Sequence, residues 1–559
     1  MQRACQQCAG NFEVTDEDLK FYDKVLPVFG GKKYFIPPPT LCPPCRMHRR
    51  TAFRNERNLY KRKCDFSGQE ILSVYPPDSP YKVYDQFIWN GDKWNSLEFG
   101  QKYDFNRPFF EQFEDLLLKV PRISLENHSN ENSSYCNDTD HLKNCYLCFN
   151  SGTSEDCYYS TTIGMNSKNC VDCFWSLTCE LCYECTKVSN SYHSFWCYNG
   201  ENLTDCYFCE DCQSCKNCFG CVGLRQKQYN VYNKQLKKEE YEDFIKNFSF
   251  TNTAIESEKK KLRELRLTVP CKNLIIQSSE DCVGDHIAYS KKCTECFDVI
   301  QSENGKYIWD AMVNNSYDCF NTGGDTNFCY ECVATYYNAN NVKFSAKCQQ
   351  CSDVMYSDYC LNSDHLFGCV GLNHKKYCIL NKEYSKEEYE EIVPKIIEHM
   401  QKTAEWGEFF PVGLSPFGYN DTMAMEYFPL AKADAEKQGF HWNDYVRPKL
   451  SGIENVPASK LPESIREIGN ESLTWAIECE KDKKFYKIIP QELEFYRKQN
   501  LPIPHFCPDC RHYARKALIN PRKLWERKCA KCGIAIQTTY APNRPEIVYC
   551  EKCYLGAIY

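Results

Sequence analysis

Cys206-Tyr-Phe-Cys209-Glu-Asp-Cys212-Gln-Ser-Cys215-Lys-Asn-Cys218-Phe-Gly-Cys221 sets six cysteines at a strict three-residue step. The run superficially matches iron–sulfur ligation, but four of the six belong to a longer beat. Working outward, cysteine or an equivalent residue recurs every eleven to thirteen positions at Cys145, Cys157, Cys170, Cys182, Ser194, Cys206, Cys218 and Tyr229. A second mark follows three residues on, at Cys148, Ser160, Cys173, Cys185, Cys197, Cys209, Cys221 and Tyr232. The Asn, Ser, Thr, Gly and Asp residues between them favour turns. Short aromatic and β-branched runs separated by turns at a fixed step suit a β-solenoid, in which each coil buries its face only on the next. A coil of ~12 residues and one of ~24 both fit this beat, and the aromatics Phe149, Phe174 and Tyr198 favour the longer. Only Cys212 and Cys215 fall off it. Stacked buried thiols, a metal and cross-links are the three readings of that pair, the first preferred.

The solenoid sequence is duplicated. Residues 131–250 recur as 279–398: Phe219-Gly-Cys-Val-Gly-Leu224 returns as Phe367-Gly-Cys-Val-Gly-Leu372, and Cys182-Tyr-Glu-Cys185 returns as Cys329-Tyr-Glu-Cys332. Each copy closes on a tail, Asn233 to Tyr241 and Asn381 to Tyr389, that leads into an amphipathic helix. A second duplication encloses the first. Cys42-Pro-Pro-Cys45-Arg46 lies over Cys507-Pro-Asp-Cys510-Arg511, and the same offset of 465 lays Cys64 over Cys529 and Tyr75 over Tyr540. Further upstream the offset is 474, laying Cys5 over Cys479 and Tyr22 over Tyr496. The order is therefore A, B, B, A.

These repeats divide the 559 residues into segments. We expect a zinc-ribbon module at 1–88 with a degenerate second half, a helical connector at 89–130, a first solenoid at 131–225 and a helical tail at 226–270. A second solenoid at 271–372, a helical tail at 373–410 and a linker at 411–474 follow, then a zinc-ribbon-like module at 475–528 and a zinc ribbon at 529–559. The expected fold class is mainly β: two parallel β-helix-like solenoid blocks flanked by small α+β zinc-ribbon modules.

Composition bounds the rest. With 42% hydrophobic and 14% aromatic residues the chain is globular, and no apolar run is long enough to span a membrane. The N-terminus lacks the basic flank and apolar stretch of a signal peptide. A cytoplasmic location is expected, where forty cysteines stay reduced and bind metal or pack as small apolar groups. The net charge of −7 argues against a generally basic nucleic-acid coat.

Cys529-x2-Cys532 and Cys550-x2-Cys553 have the spacing of a four-thiolate zinc site. Two such pairs complete a closed tetrahedron, which is structural because it leaves no position open for substrate. Cys5, Cys8, Cys42 and Cys45 form a second full set. At the matching positions of the C-terminal copy stand Cys479, Asp482, Cys507 and Cys510, a Cys3Asp set. The N-terminal counterpart of Cys529–Cys553 keeps only Cys64, with Ser67, Asp85 and Ile88 at the other ligand positions, and is expected to hold no metal. Zn2+ is the expected ion.

Basic segments lie between the paired sets. Arg46 and Arg50, like Arg511 and Arg515, stand four apart and share a helix face; with Arg57 and Arg522 they are the expected contact for phosphates of RNA, DNA or a ribonucleoprotein. The competing reading is a solvated helix face that pairs with an acidic neighbour. No catalytic motif stands out: there is no GxSxG elbow, phosphate-cradling Gly-rich loop or His-Glu-x-x-His. His141, His193, His286 and His365 fall within the solenoids and are expected at turns or satisfied positions.

Taken with Arg54-Asn-Glu-Arg57, Asn106-Arg-Pro-Phe-Phe-Glu-Gln-Phe113 and Thr538-Thr-Tyr-Ala-Pro542, these motifs resemble a family of large, Cys-rich, zinc-ribbon-bearing proteins of ultrasmall candidate-phyla bacteria over nearly the whole chain. The resemblance implies the same architecture. Similar chains are sometimes labelled CaiB/BaiF-type CoA-transferases, a label no residue here supports. The function expected is a zinc-binding, non-enzymatic scaffold or binding protein that contacts nucleic acid through its Arg-rich segments. One alternative is a protein–protein scaffold using Tyr-rich solenoid faces; another is an enzyme, iron–sulfur redox or CoA transferase.

Overall fold

The computed structural model describes residues 1–558 except 164–165, 178, 303–305, 307–319, 321–326, 332, 334–337 and 448–452. Cys332 of the repeated Cys-Tyr-Glu-Cys motif thus lies outside the described residues.

Parallel strands set the coil length. Thr204, Cys206 and Tyr207 pair with Lys216, Cys218 and Phe219, and these pair in turn with Gln228, Asn230 and Val231. In the second block Ser352, Val354 and Met355 pair with Asp364, Leu366 and Phe367. Each step is twelve residues, so the shorter coil is the correct one. The two blocks together run to about 18 turns.

Within a coil the grain is finer than the twelve-residue beat. Asp205, Phe208, Asp211, Ser214 and Asn217 all have φ between 50° and 53°, and Gly220 follows at 63°. Every third residue is a left-handed corner, so four three-residue sides close each coil. The residue after each corner points inward, and the next bridges to the neighbouring coil. Bridging and corner amides feed the ladder: Tyr198 N–H donates to Cys209 O at 2.8 Å, and Asp211 N–H donates back to Tyr198 O at 2.9 Å. The inward amide has its own acceptor where serine precedes it by a coil, as Leu203 N–H donates to Ser191 Oγ at 3.0 Å. Bridging and corner amides thereby find acceptors in the neighbouring coils, which allows non-glycine residues to hold a conformation that costs ~1–2 kcal/mol each. Sides of three residues leave a narrow interior, filled by Cys, Ser, Leu and Val. Cysteine suits it, being small, apolar and a weak donor.

This geometry explains the six-cysteine run. Cys206, Cys209, Cys212, Cys215, Cys218 and Cys221 are consecutive inward positions and all buried. Cys212 and Cys215 need no separate cause. The marks assigned to Tyr229 and Tyr232 shift by one residue, because both are corners (φ 55° and 49°) and Asn230 takes the paired inward position. The closing Phe-Gly-Cys-Val-Gly-Leu recurs because Gly220 (φ 63°) would set a Cβ 2.6 Å from the Tyr232 ring. Each ladder ends in an antiparallel hairpin, Gln228–Val231 with Lys234–Gln235 and Lys376–Ile379 with Lys382–Glu383. Helices Lys238–Asn247 and Lys386–Lys402 follow. The connector helix is Phe109–Lys119, and the Glu405 carboxylate caps it by accepting the amides of Phe109 and Phe110 at 2.9 and 2.8 Å.

The chain forms two compact units. One comprises Met1–Leu125 with Leu274–Tyr445, the other Glu126–Asn273 with Val446–Tyr559. Each terminal module is therefore grouped with the solenoid farther from it in sequence, and the expected linker divides between the two units. Corresponding contacts recur inside both. The Tyr22 ring lies 5.0 Å from Tyr330 in the first, and their repeat counterparts Tyr496 and Tyr183 lie 5.8 Å apart in the second. Val83–Tyr84 pairs with Arg122–Ile123 as Val548–Tyr549 pairs with Cys271–Lys272, both parallel.

Candidate metal centres

Each candidate centre is built from a turn and a helix end. After Cys5, Cys479 and Cys529 the chain folds back so that the amide four residues on donates to the cysteine carbonyl: Ala9 to Cys5, Lys483 to Cys479 and Gly533 to Cys529, at 2.9–3.1 Å. That fourth residue is left-handed in all three, with φ of 57°, 61° and 77°. The second pair opens a helix, Cys42 before Pro43–Thr51 and Cys507 before Pro508–Lys516, while Cys550 precedes Glu551–Ile558. The second pair thus sits on a first helical turn, not on a second hairpin turn as in a plain ribbon. The same amide-to-sulfur hydrogen bond joins the halves in all three: the amides of Cys42, Cys507 and Cys550 donate to the sulfurs of Cys5, Cys479 and Cys529 at 3.3, 3.3 and 3.2 Å.

Three donor sets converge in this way: Cys5, Cys8, Cys42, Cys45; Cys529, Cys532, Cys550, Cys553; and Cys479, Asp482, Cys507, Cys510. In each, the donor atoms lie within 4.8 Å of one another. They can hold metal ions. Burial pushes the Cys529 thiol up, but the amides of Cys532, Cys550 and Lys531 outweigh it and bring it down to about 6. The adjacent Cys45 sulfur takes Cys42 down to about 5. Cys45 is pushed up in turn by Cys42, since adjacent thiolates repel without a cation between them. A divalent cation removes that conflict, so the donor chemistry fits the ion.

The degenerate position keeps the scaffold without the donors. Gly68 donates to Cys64 O at 2.9 Å, and Asp85 N–H donates to Cys64 Sγ at 3.3 Å, as Cys550 does to Cys529. Asp85 caps the short helix Gln86–Trp89. Among the described residues, no set of three donors converges around Cys64.

The helix arginines expected to meet phosphates are buried instead. Arg46 and Arg50 are 3% and 0% exposed, Arg511 and Arg515 both 3%. Arg46 Nε is 3.8 Å from Glu331, which also takes Arg49 at 2.7 Å. Arg511 and Arg515 converge on buried Asp172 at 2.7 and 3.2 Å. Arg57 faces Glu426 at 4.0 Å, its side chain 8% exposed, and Arg522 is half-buried. Arg46, Arg511 and Arg515 reach solenoid carboxylates and Arg50 is fully buried, so all four are out of reach of an external phosphate. The nested pairing of repeats supplies Glu331 and Asp172 from 285 and 339 residues away, where no local reading finds them.

The aromatic solenoid face of the second unit is likewise covered. Tyr159, Tyr183, Phe195, Trp196 and Phe208 share one core with Ile488, Leu493, Phe495 and Tyr496 of the module. A face that remains exposed carries Glu131, Lys143, Glu155, Lys168 and Glu180 at successive coils; Lys143 and Lys168 pair with Glu155 at 3.5 and 2.9 Å.

Solenoid sulfurs behave differently from the terminal ones. Cys212 Sγ lies within donating distance of Glu210 O and Cys221 O, at 3.5 and 3.6 Å, and Cys215 repeats the pattern with Gln213 O and Leu224 O. Among the described residues no three solenoid sulfurs lie within 4.8 Å of one another. His141, His193, His286 and His365 all stand at left-handed corners beside an aspartate. His365 also groups with Asp353 and Asp364, a cluster the sequence reading missed because its members come together only through the twelve-residue stack.

No family model matches this sequence, no curated protein matches it, and no solved structure matches its fold. Among the described residues no helix is long and apolar enough to cross a membrane.

Proposed function

We propose that the protein is a zinc-dependent, non-enzymatic scaffold in which the metal centres fasten each module to a solenoid and the free solenoid faces receive a protein partner. One observation carries this reading: the last ligand of a centre and the arginine that enters the solenoid are consecutive residues, Cys45-Arg46 and Cys510-Arg511, on one first helical turn. Fixing the sulfur aims the guanidinium. Thiolate-rich tetrahedral sets favour Zn2+ over harder ions, and thiols that donate to carbonyls require a reducing compartment, which supports a cytoplasmic location. The alternating Glu/Lys ladder, rather than the arginines, is the surface offered to a partner.

Metal analysis of the reduced chain tests the first half, with three zinc ions per chain expected and no visible absorbance from iron. Affinity capture with nuclease treatment tests the second. Partners retained after nuclease support a protein scaffold; their loss together with RNA or DNA favours a nucleic-acid contact outside the buried arginines.

A further inference from the structure

The three centres share a backbone plan but differ at one donor. On the first turn of each set, the knuckle, the second donor is Cys8 in the first, Cys532 in the last and Asp482 in the middle set. Cys479, Cys507 and Cys510 are buried around it, whereas the Asp482 side chain is 24% exposed. Both its oxygens lie at similar distance from Cys507 Sγ, 3.7 and 3.6 Å, so neither is singled out as the donor. A competitor waits beside it: Lys484 Nζ is 3.7 Å from Oδ2, and the Lys484 amide donates to Oδ1 at 3.1 Å. The carboxylate therefore has partners to receive it when it leaves a metal.

Resting on the zinc reading above, we infer that the Cys479–Asp482–Cys507–Cys510 centre is the exchangeable one, and that a small-molecule thiol from solution displaces Asp482 from its zinc. Three soft sulfurs hold the ion, and the hard carboxylate is the weakest donor. The vacated corner corresponds to the position where Cys8 and Cys532, both exposed, place sulfur in the sister centres. In the exchange the Zn–O bond to Asp482 breaks, a Zn–S bond to the incoming thiolate forms, the thiol proton passes to solvent, and Asp482 pairs with Lys484. No oxidant or reductant is needed. The other two centres are closed by four cysteines and offer no such corner.

The test is zinc transfer from the full-length, zinc-loaded chain to a chromogenic chelator, with and without 2-mercaptoethanol. One of the three ions is expected to leave at least about tenfold faster than the other two, and the thiol is expected to slow that phase by completing the sulfur shell. Asp482→Cys should abolish both the fast phase and the thiol effect, while Cys8→Asp should create a second fast phase. Release of all three ions at one rate, or a fast phase that survives Asp482→Cys, overturns the inference and leaves the zinc scaffold standing. Two ions in the natural chain and three in Asp482→Cys also overturn it. A chain that binds no zinc removes the scaffold reading itself.

Discussion

The knuckle at Cys64 and the knuckle at Cys529 occupy the same place in the two modules and fold alike, yet only one keeps its donors. Both retain the turn, the left-handed fourth residue and the amide-to-sulfur hydrogen bond. What differs is the neighbourhood. Around the N-terminal knuckle, Val74, Tyr75, Val83, Leu125 and Phe417 form a buried cluster with Leu59, Ile71, Leu72 and Tyr81 packed on it. The C-terminal cluster contains little besides Ile536, Val548 and two of the ligands themselves. One backbone plan is thus closed by apolar burial at one end and carries a converging donor set at the other, where the apolar core is thin.

The sharpest break in that comparison is Cys529→Ser with Cys550→Ser. It should remove on the order of 10 kcal/mol of local stability, seen as lost amide-exchange protection over 525–558, while Cys64→Ser costs about 1 kcal/mol and leaves 60–88 protected. Equal loss in both would show that the N-terminal knuckle depends on its single sulfur. The converse experiment restores donors: Ser67→Cys, Asp85→Cys and Ile88→Cys together should raise zinc from three to four ions per chain by elemental analysis.

Next in size are the buried ion pairs that each module sends into its solenoid. Asp172→Ala removes the carboxylate shared by Arg511 and Arg515, and Glu331→Ala removes the one shared by Arg46 and Arg49; each should cost about 3–5 kcal/mol in chemical denaturation. If either change is silent, the two units are not held in the same way.

Glu492 gives a smaller, pH-dependent effect in the second unit only. Burial pushes its carboxyl up to about 7, against the opposing influence of Arg511 and the hydroxyls of Tyr159 and Tyr496. The folded state then keeps a proton that the unfolded chain releases near 4.5. Its stabilising contribution is complete below that value and drains away as the pH climbs through 7, by about 3 kcal/mol. Glu492→Gln should flatten this slope; an unchanged slope assigns it to another group.

The smallest effect is expected inside the solenoid. Cys212→Ser should change stability by less than about 1 kcal/mol, because serine fills the same inward role at Ser160 and Ser194. Cys212→Leu should cost about 1–3 kcal/mol by overfilling the narrow column.

Much of this was legible in the sequence. Cysteine spacing carried the solenoid beat and all three donor sets, because ligands and inward positions tolerate few residue types. The three-residue grain was hidden, since its corners accept residues as unlike as Leu147, Tyr159, Trp196 and Asn217 once the inter-coil hydrogen bonds form. Burial of the arginines was equally hidden: a strip of positive charge looks the same whether its counter-charge is solvent or a carboxylate brought from Asp172 or Glu331. The cover over the aromatic face of the second unit was hidden for the same reason, because Phe495 and Tyr496 are encoded far downstream.

The crossed grouping of modules and solenoids also bears on how the molecule is made. A ribosome releases Tyr159 and its aromatic neighbours long before Glu492, which lies 333 positions on. At ordinary elongation rates the first solenoid waits roughly 20–60 seconds with its apolar side bare. Until Phe495 and Tyr496 have been made, that side lacks the residues that cover it in the folded chain.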